Sequence, residues 1–175
     1  MQDGGAGDDD LKGGSDGGSD GGSDGGSDGG SDGGMDVVLG GSGNDKLDGG
    51  RGSDLLIGGT GADKIKGGSK GKKNDPGDIL ISGWTNHDSD PAVLRSILNQ
   101  WKSDWDDGCD YDDIVDDLEA GLLKPGVYVF DDGVKDTLDG GNKVRDLFFA
   151  DRDGEDGDDD KLKGDKDDRV IQIDP

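Results

Sequence analysis

Residues 40–66 consist of three consecutive nine-residue units, GGSGNDKLD, GGRGSDLLI and GGTGADKIK. Each unit begins with two glycines and has glycine in the fourth place, aspartate in the sixth and leucine or isoleucine in the eighth. A pattern that recurs at a fixed period predicts a stacked architecture, in which each unit packs mainly on its neighbours. This repeat therefore limits the fold more strongly than any other feature of the chain.

Further copies of the unit, most of them less regular, extend along the sequence. Residues 4–12 match it fully, and residues 31–39 keep its fourth, sixth and eighth places. Residues 67–81 form a unit with an insertion, in which Asp78 and Leu80 recover the sixth and eighth places. Weaker matches place an aspartate two residues before an apolar residue, as in Asp136–Leu138, Asp146–Phe148, Asp160–Leu162 and Asp168–Val170.

Each place of the unit has a physical interpretation. The Gly-Gly-x-Gly segment predicts a tight turn in which some residues take a positive φ, which glycine adopts freely. Such a turn directs backbone carbonyls inward, and the aspartate adds a charged oxygen. The aliphatic residue lies on a short strand, with its two neighbours facing the opposite way. One unit thus makes one turn and one strand, and two units complete a coil.

The composition requires a stabilising partner for such coils. The chain has 175 residues and a net charge of −24, and Leu, Ile, Val and Phe make up about 19 % of it, which is typical of disordered chains. This charge disfavours nucleic acid and anionic membranes as partners. The chain has one histidine, His87, and one cysteine, Cys109, which excludes a Cys/His zinc cluster and an internal disulfide. Aspartate and carbonyl oxygens suit calcium better than magnesium, because calcium accepts irregular geometry.

The nonapeptide resembles the repeat of the hemolysin-type, repeats-in-toxin (RTX) calcium-binding proteins. The resemblance covers 4–12 and 31–81, and the segment from 77 to 154 also looks like the C-terminal part of some secreted hemolysin-type proteins. It implies a calcium-dependent parallel β-roll, a β-helix or solenoid, with several Ca²⁺ ions held between a turn and the turn two units later. The expected fold class is mainly β, with a small α-helical insertion and a flexible Gly/Ser/Asp-rich N-terminal segment.

The resemblance also implies the ligands. In that family, one turn gives backbone oxygens from places two and four plus its aspartate, and the next gives places one and three plus its aspartate. The first expected site therefore combines Gly41, Gly43 and Asp45 with Gly58, Thr60 and Asp63. The second combines Asp32, Gly34 and Asp36 with Gly49, Arg51 and Asp54. The third combines Gly50, Gly52 and Asp54 with Gly67 and Ser69, and Asp9 is a further candidate ligand.

The chain divides into four segments on this interpretation. Residues 1–30 form a Gly/Ser/Asp-rich segment with one repeat at 4–12, and 13–30 favour a linker over a loose coil of the same fold. Residues 31–83 form the RTX roll, and 84–125 a helical insertion. Helices are predicted over 90–105, with Asp90 as the N-cap and Pro91 at the first helical position, and around 111–120. Residues 126–175 are a degenerate repeat region with a strand at 126–130, and for 151–169 a solvated acidic tract is favoured.

The expected function is calcium binding coupled to folding in a secreted, non-catalytic accessory module. No nucleophile elbow, P-loop or metalloprotease helix is present, and nothing is long and apolar enough to span a membrane. The N-terminus lacks the pattern of a secretory signal peptide. Trp101 and Trp105 are expected in the core rather than on a ligand surface. Two alternatives stay open: an extracellular interaction, adhesion or surface-layer protein, and a disordered acidic calcium buffer. A protein partner is not predicted.

Overall fold

The computed structural model describes residues 1–13, 34–69, 76–141, 145–152 and 159–173. The fold is mainly β, with parallel sheets and two helices. The six-stranded sheet has, in spatial order, β1 (Gln2–Asp3), β3 (Val37–Ser42), β5 (Leu55–Thr60), β7 (Ile79–Ile81), β11 (Leu147–Ala150) and β13 (Arg169–Gln172). The five-stranded sheet has β12 (Lys161–Lys163), β10 (Thr137–Asp139), β6 (Lys64–Ser69), β4 (Lys46–Arg51) and β2 (Asp10–Lys12).

Successive strands of the repeat alternate between the two sheets, so that neighbours within a sheet are two units apart in the sequence. Val38 therefore pairs with Leu56 in the six-stranded sheet, and Leu47 pairs with Ile65 in the five-stranded sheet. These eighth-place residues from both sheets form one buried cluster: Val38, Leu47, Leu56, Ile65, Leu80, Leu138 and Phe148. The alternation explains why one aliphatic residue in nine is enough to fill the space between the sheets.

The eighth place gives an incompletely buried residue on the edge strands, where Leu11 and Leu162 are partly buried. Val170, on the edge strand β13, is 44 % exposed. The edge strand has a neighbour on one side alone, so its eighth-place side chain is not enclosed.

The helices are inserted between β7 and β10, and both helix predictions are confirmed. Helix α1 (Pro91–Asp106) begins after Asp90, whose side chain accepts hydrogen bonds from the N–H groups of Ala92 and Val93. Helix α2 (Tyr111–Ala120) follows, and the N–H of Gly121 caps its end. The strand predicted over 126–130 is shorter, since β9 is limited to Val129–Phe130 and pairs antiparallel with β8 (Trp84–Thr85).

Both helices pack on the outer face of the six-stranded sheet. Leu94, Ile97, Trp101, Ile114 and Leu118 are buried in one cluster with side chains of that sheet. Trp101 is fully buried, as expected for a core residue, and Trp105 is partly buried against the same cluster. The described part of the chain contains no helix long and apolar enough to cross a membrane.

The structure changes the interpretation of the C-terminal acidic segment. The sequence favours a solvated tract for 151–169, but β12 and the start of β13 lie within it, and Asp151 and Asp160 are buried. Strand pairing decides this outcome, because Lys161–Lys163 take the same register as Thr137–Asp139 on the next strand. The preference for a linker at 13–30 concerns residues that lie almost entirely outside the described part of the chain.

Candidate calcium-binding turns

Aspartates in the sixth place form two rows along the two turn edges of the stack. In the first aspartate row, each backbone N–H donates to the Oδ1 of the next aspartate at 2.6–2.8 Å, through Asp9, Asp45, Asp63, Asp136 and Asp160. In the second aspartate row the distances are 2.8–2.9 Å, through Asp36, Asp54, Asp78, Asp146 and Asp168. The sixth place thus connects each turn to the turn above it.

The second carboxylate oxygen of many of these aspartates has no hydrogen-bond partner. The Oδ2 atoms of Asp9, Asp45, Asp54, Asp63 and Asp136 are buried and unpaired. An unpaired buried carboxylate oxygen is costly, because it has lost its water and gained nothing in return. Hard oxygen atoms of this kind are the donors that calcium prefers. The donor set therefore fits a calcium ion.

Electrostatics in the rows are unfavourable to ionised carboxylates without a cation. Burial raises the pKa of Asp63 to about 7, and Asp45 adds to the rise by charge repulsion. Burial also raises the pKa of Asp54 well above its ordinary value, and Asp78 is the main charged neighbour that contributes. The pKa of Asp146 is raised to about 8 for the same reasons. A divalent ion between the turns removes the repulsion that causes these shifts.

The glycines of the unit have two separate roles. Those in the second and fourth places, such as Gly41 and Gly43, have φ of 100° and 137°, as the sequence predicts. The first-place glycine is needed for space instead. A Cβ on Gly40 would lie less than 3.0 Å from the carbonyl oxygen of Gly58 and from Oδ2 of Asp45. Glycine in the first place therefore leaves room for both the next turn and the carboxylate.

The six residues of the first expected site lie together across two adjacent turns. Gly41 and Gly58 belong to β3 and β5, where Gly41 pairs with Gly59. The N–H of Gly43 donates to the carbonyl of Thr60 at 2.9 Å. The N–H of Asp45 donates to Oδ1 of Asp63 at 2.8 Å. Asp9 stands one turn below, where its N–H donates to Oδ1 of Asp45.

The second expected site is only partly brought together. Gly34 forms a bridge to Gly52, and the N–H of Asp36 donates to Oδ1 of Asp54 at 2.8 Å. Asp32 lies outside the described residues. The residue stacked on Gly49 is Gly13, whose N–H donates to the carbonyl of Asp48 at 2.7 Å. Arg51 is exposed and pairs with Ser69 of the turn above.

The third expected site gains its missing aspartate from the structure. Gly50 pairs with Gly68, and the N–H of Gly52 donates to the carbonyl of Ser69 at 3.2 Å. The carbonyl of Gly67 lies beside Gly49. The N–H of Asp54 donates to Oδ1 of Asp78 at 2.9 Å, so Asp78 completes the pair of carboxylates. Lys70, which replaces the fourth-place glycine here, lies outside the described residues.

Sequence reasoning left five row members out of the expected ligands: Asp78, Asp136, Asp146, Asp160 and Asp168. Their signal was the aspartate two residues before an apolar side chain, which holds even where the glycines are lost. Among the described residues, no group of three or more His, Cys, Asp or Glu side chains has the spacing of a metal cluster. This agrees with a site whose donors are mostly backbone carbonyls.

Comparison with known proteins supports this description of the turns. Residues 30–69 match the family of RTX calcium-binding nonapeptide repeats, in four copies. The chain therefore carries RTX nonapeptide repeats over this segment, and such repeats indicate calcium binding. No curated protein and no solved structure matches the chain.

Proposed function

We propose that the chain binds calcium ions between the stacked turns of a parallel β-roll, and that this binding is coupled to folding. The observation that carries the proposal is the set of buried, unpaired Oδ2 atoms at Asp45, Asp54 and Asp63. Each belongs to a turn whose aspartate is joined to the aspartate of the next turn. A cation that binds two such turns satisfies the carboxylates and holds the turns together.

The energetic reason is that the stacked turns accumulate negative charge that the chain itself does not neutralise. The net charge is −24, and the hydrophobic cluster between the two sheets is, in the described part of the chain, a single file of eighth-place side chains. Desolvation of an ionised carboxylate costs several kcal/mol when no partner compensates it. The binding free energy of the ions then contributes directly to the free energy of folding.

Calcium is favoured over magnesium by the geometry of the donors. Backbone carbonyls and single carboxylate oxygens from two turns form an irregular set, which calcium accepts with 6–8 ligands at about 2.3–2.6 Å. Magnesium requires near-octahedral order and loses its waters reluctantly. Calcium is scarce inside cells and plentiful outside them, so a chain of this kind folds after export. We therefore infer a secreted, non-catalytic accessory module.

A calcium titration followed by far-UV circular dichroism tests this proposal, with magnesium as the ion control. We expect a cooperative gain of β signal with calcium and little change with magnesium. Asp63→Asn should raise the calcium concentration at the midpoint by roughly tenfold, which corresponds to about 1.4 kcal/mol. Asp117→Asn, at an exposed position of α2, is the matched control and should leave the midpoint unchanged.

Two outcomes would overturn the proposal. An equal response to magnesium would mean that general charge screening, rather than a calcium site, orders the chain. Calcium binding without any gain of structure would favour a disordered acidic buffer.

A further inference from the structure

The outer face of the five-stranded sheet carries two straight rows of side chains. The seventh and ninth places supply one row each, because both point away from the inner cluster. The seventh-place row is Asp10, Lys46, Lys64, Thr137 and Lys161, and the ninth-place row is Lys12, Asp48, Lys66, Asp139 and Lys163. Lysines outnumber aspartates by two to one in this set, and we call these ten residues the lysine face.

The lysine face is positively charged in a chain that is acidic as a whole. All of its lysines are exposed, and the side chains of Lys66 and Lys163 are 55 % and 75 % exposed. The net charge of the chain is −24. The face therefore has the opposite sign to the rest of the molecule and attracts a different class of partner.

The seventh-place row has no compensating charge of its own. Lys46 and Lys64 are register partners on adjacent strands, which lie about 4.8 Å apart. Like charges in such positions destabilise a sheet. Only Thr137 separates Lys64 from Lys161. Within the described residues, no ion pair involves Lys46, Lys64 or Lys161, so three lysines stand in line without an acidic partner.

The ninth-place row combines cations with fixed hydrogen-bond acceptors. Asp48 pairs with Lys66 at 3.3 Å, and Asp139 pairs with Lys163 at 2.6 Å. The Oδ1 atoms of the two aspartates also accept backbone N–H groups of the turn that follows, at 3.2 and 3.0 Å. A carboxylate oxygen accepts more than one hydrogen bond. These aspartates can therefore still accept hydrogen bonds from the hydroxyl groups of a ligand.

The size and polarity of the lysine face disfavour a protein partner. Five strands at about 4.8 Å and three residues at about 3.3 Å give a surface of roughly 24 by 10 Å. A stable protein interface buries about 800 Å² on each partner and has an apolar centre. The lysine face is much smaller, and none of its side chains is apolar. A thin, linear ligand fits these dimensions better.

The charge of the whole chain limits which linear anion can approach. Duplex nucleic acid carries one negative charge per about 1.7 Å, and a chain of net charge −24 repels so dense an array. An acidic polysaccharide has more widely spaced charges and carries hydroxyl groups between them. Its carboxylates match the seventh-place lysines, and its hydroxyl groups match the acceptors of the ninth-place row.

We propose that the lysine face binds a linear acidic polysaccharide. The carboxylates of the sugar chain lie along Lys46, Lys64 and Lys161, and its hydroxyl groups donate to Asp48 and Asp139. The binding relieves the repulsion between the neighbouring lysines. The proposal goes beyond the proposed function, because it concerns a different surface and a different ligand. It depends on calcium only in requiring a folded sheet.

Binding of a hyaluronate oligosaccharide to the full chain tests the proposal. Hyaluronate is a linear polysaccharide with regularly spaced carboxylates, and fluorescence anisotropy of a label at its reducing end measures the affinity at saturating calcium. A neutral dextran oligosaccharide with the same label is the uncharged control. We expect hyaluronate to bind and dextran not to bind. Hyaluronate binding should weaken as salt is added, because salt screens exposed charges.

A matched pair of double variants locates the binding surface. Lys46→Gln with Lys64→Gln should weaken hyaluronate binding by roughly 25-fold, since one lysine beside an anionic surface changes affinity by about fivefold. Lys124→Gln with Lys135→Gln removes the same charge from exposed positions outside the lysine face and should leave the affinity unchanged. Lys161→Gln, on an edge strand, should weaken binding by about fivefold and serves as the second test if the first variant does not fold.

Four results would overturn the proposal: no binding of hyaluronate to the calcium-ordered chain; equal losses in the two double variants, which would assign the effect to net charge; binding that needs calcium but ignores the lysine substitutions, which would indicate a calcium bridge; and equal or tighter binding of polyglutamate, which would indicate an acidic peptide as the partner. Circular dichroism of the same samples shows separately whether calcium orders the chain, so a failure of the proposed function is recognised without the polysaccharide.

Discussion

The two sheets share one interior and differ completely in their outer faces. In both sheets the eighth-place residue points into the common cluster. The residues in the seventh and ninth places point outward. In the four inner strands of the six-stranded sheet these are apolar, as in Val37, Leu39, Leu55 and Ile57, and they are buried in one cluster with side chains of the helices.

The outer face of the five-stranded sheet carries charge instead. Its ninth-place residues alternate in sign across the strands, and two of the resulting ion pairs are formed, at 3.3 Å for Lys66–Asp48 and 2.6 Å for Lys163–Asp139. The full row is Lys12, Asp48, Lys66, Asp139 and Lys163. Exposed pairs of this kind contribute little to stability.

This difference shows that the same repeat is stabilised by different interactions in the two sheets. The outer face beneath the helices adds a second hydrophobic cluster, and the helices also donate side-chain hydrogen bonds to the stack. The indole of Trp101 donates to the carbonyl of Gly77, and the hydroxyl of Tyr111 donates to that of Asp146, both at 2.8 Å. The five-stranded sheet has only the inner cluster, so its cohesion depends more on what the turns bind.

The largest effect should come from breaking the helix-covered face. Trp101→Ala removes a fully buried indole and should lower the free energy of unfolding by about 3–5 kcal/mol at saturating calcium. Chemical denaturation followed by circular dichroism measures this change. Trp101→Phe, which loses the hydrogen bond but keeps most of the apolar volume, should cost less. A loss below about 1 kcal/mol for Trp101→Ala would mean that the helices add no second core.

A matched pair at the ninth place compares the two faces directly. Ile57→Ala, on the covered face, should cost about 2–5 kcal/mol because it opens a cavity. Lys66→Ala, at the same place of the next unit, should change the free energy of unfolding by at most about 0.5 kcal/mol, because its ion pair is exposed. Equal losses in the two variants would contradict the distinction between the faces.

The turns connect both sheets, and in calcium chelator their aspartates should make folding depend on pH. The pKa values of Asp63 and Asp78 are raised to about 7, that of Asp146 to about 8 and that of Asp136 to about 9. The folded chain therefore binds protons more tightly than the unfolded chain, so stability is greatest at acid pH and is lost as the pH rises through 7–9.

In chelator the β signal in far-UV circular dichroism should accordingly increase as the pH is lowered from 8 to 5, because protonation removes the repulsion that calcium otherwise compensates. With calcium present the trend should reverse, because the ion requires ionised ligands. A β signal in chelator that grows as the pH rises would contradict the burial of these carboxylates.

Much of the fold could be predicted from local pattern. Asp90 and Pro91, followed by apolar residues at helical spacing, gave the start and the buried face of α1. The aspartate two residues before an apolar side chain marked the later strands, even where the glycines had changed. The seventh and ninth places also differ in polarity from one unit to the next. This difference indicates which sheet the helices cover, and the repeat pattern alone does not contain it.

What the sequence could not supply was the partner of each irregular turn. Asp63 is joined to Asp136, which is 73 residues away, and Asp78 to Asp146, which is 68 residues away. Long insertions separate these residues in the sequence and hide which turns are neighbours. The fold tolerates such insertions because lengthening a loop adds little to the entropy cost of closing it. The buried position of Asp131 was equally hidden, since it depends on where the insertion leaves the stack.

The sequence by itself determined the unit: its turn glycines, its sixth-place aspartate, its inward aliphatic residue and the two helices. These features are local, because they follow from backbone conformation and side-chain periodicity over a few residues. Only the tertiary structure decided which turns stack, which face the helices cover and which aspartates are joined across the insertions. Those outcomes depend on strand pairing and packing between residues far apart in the chain, which no short stretch of sequence encodes.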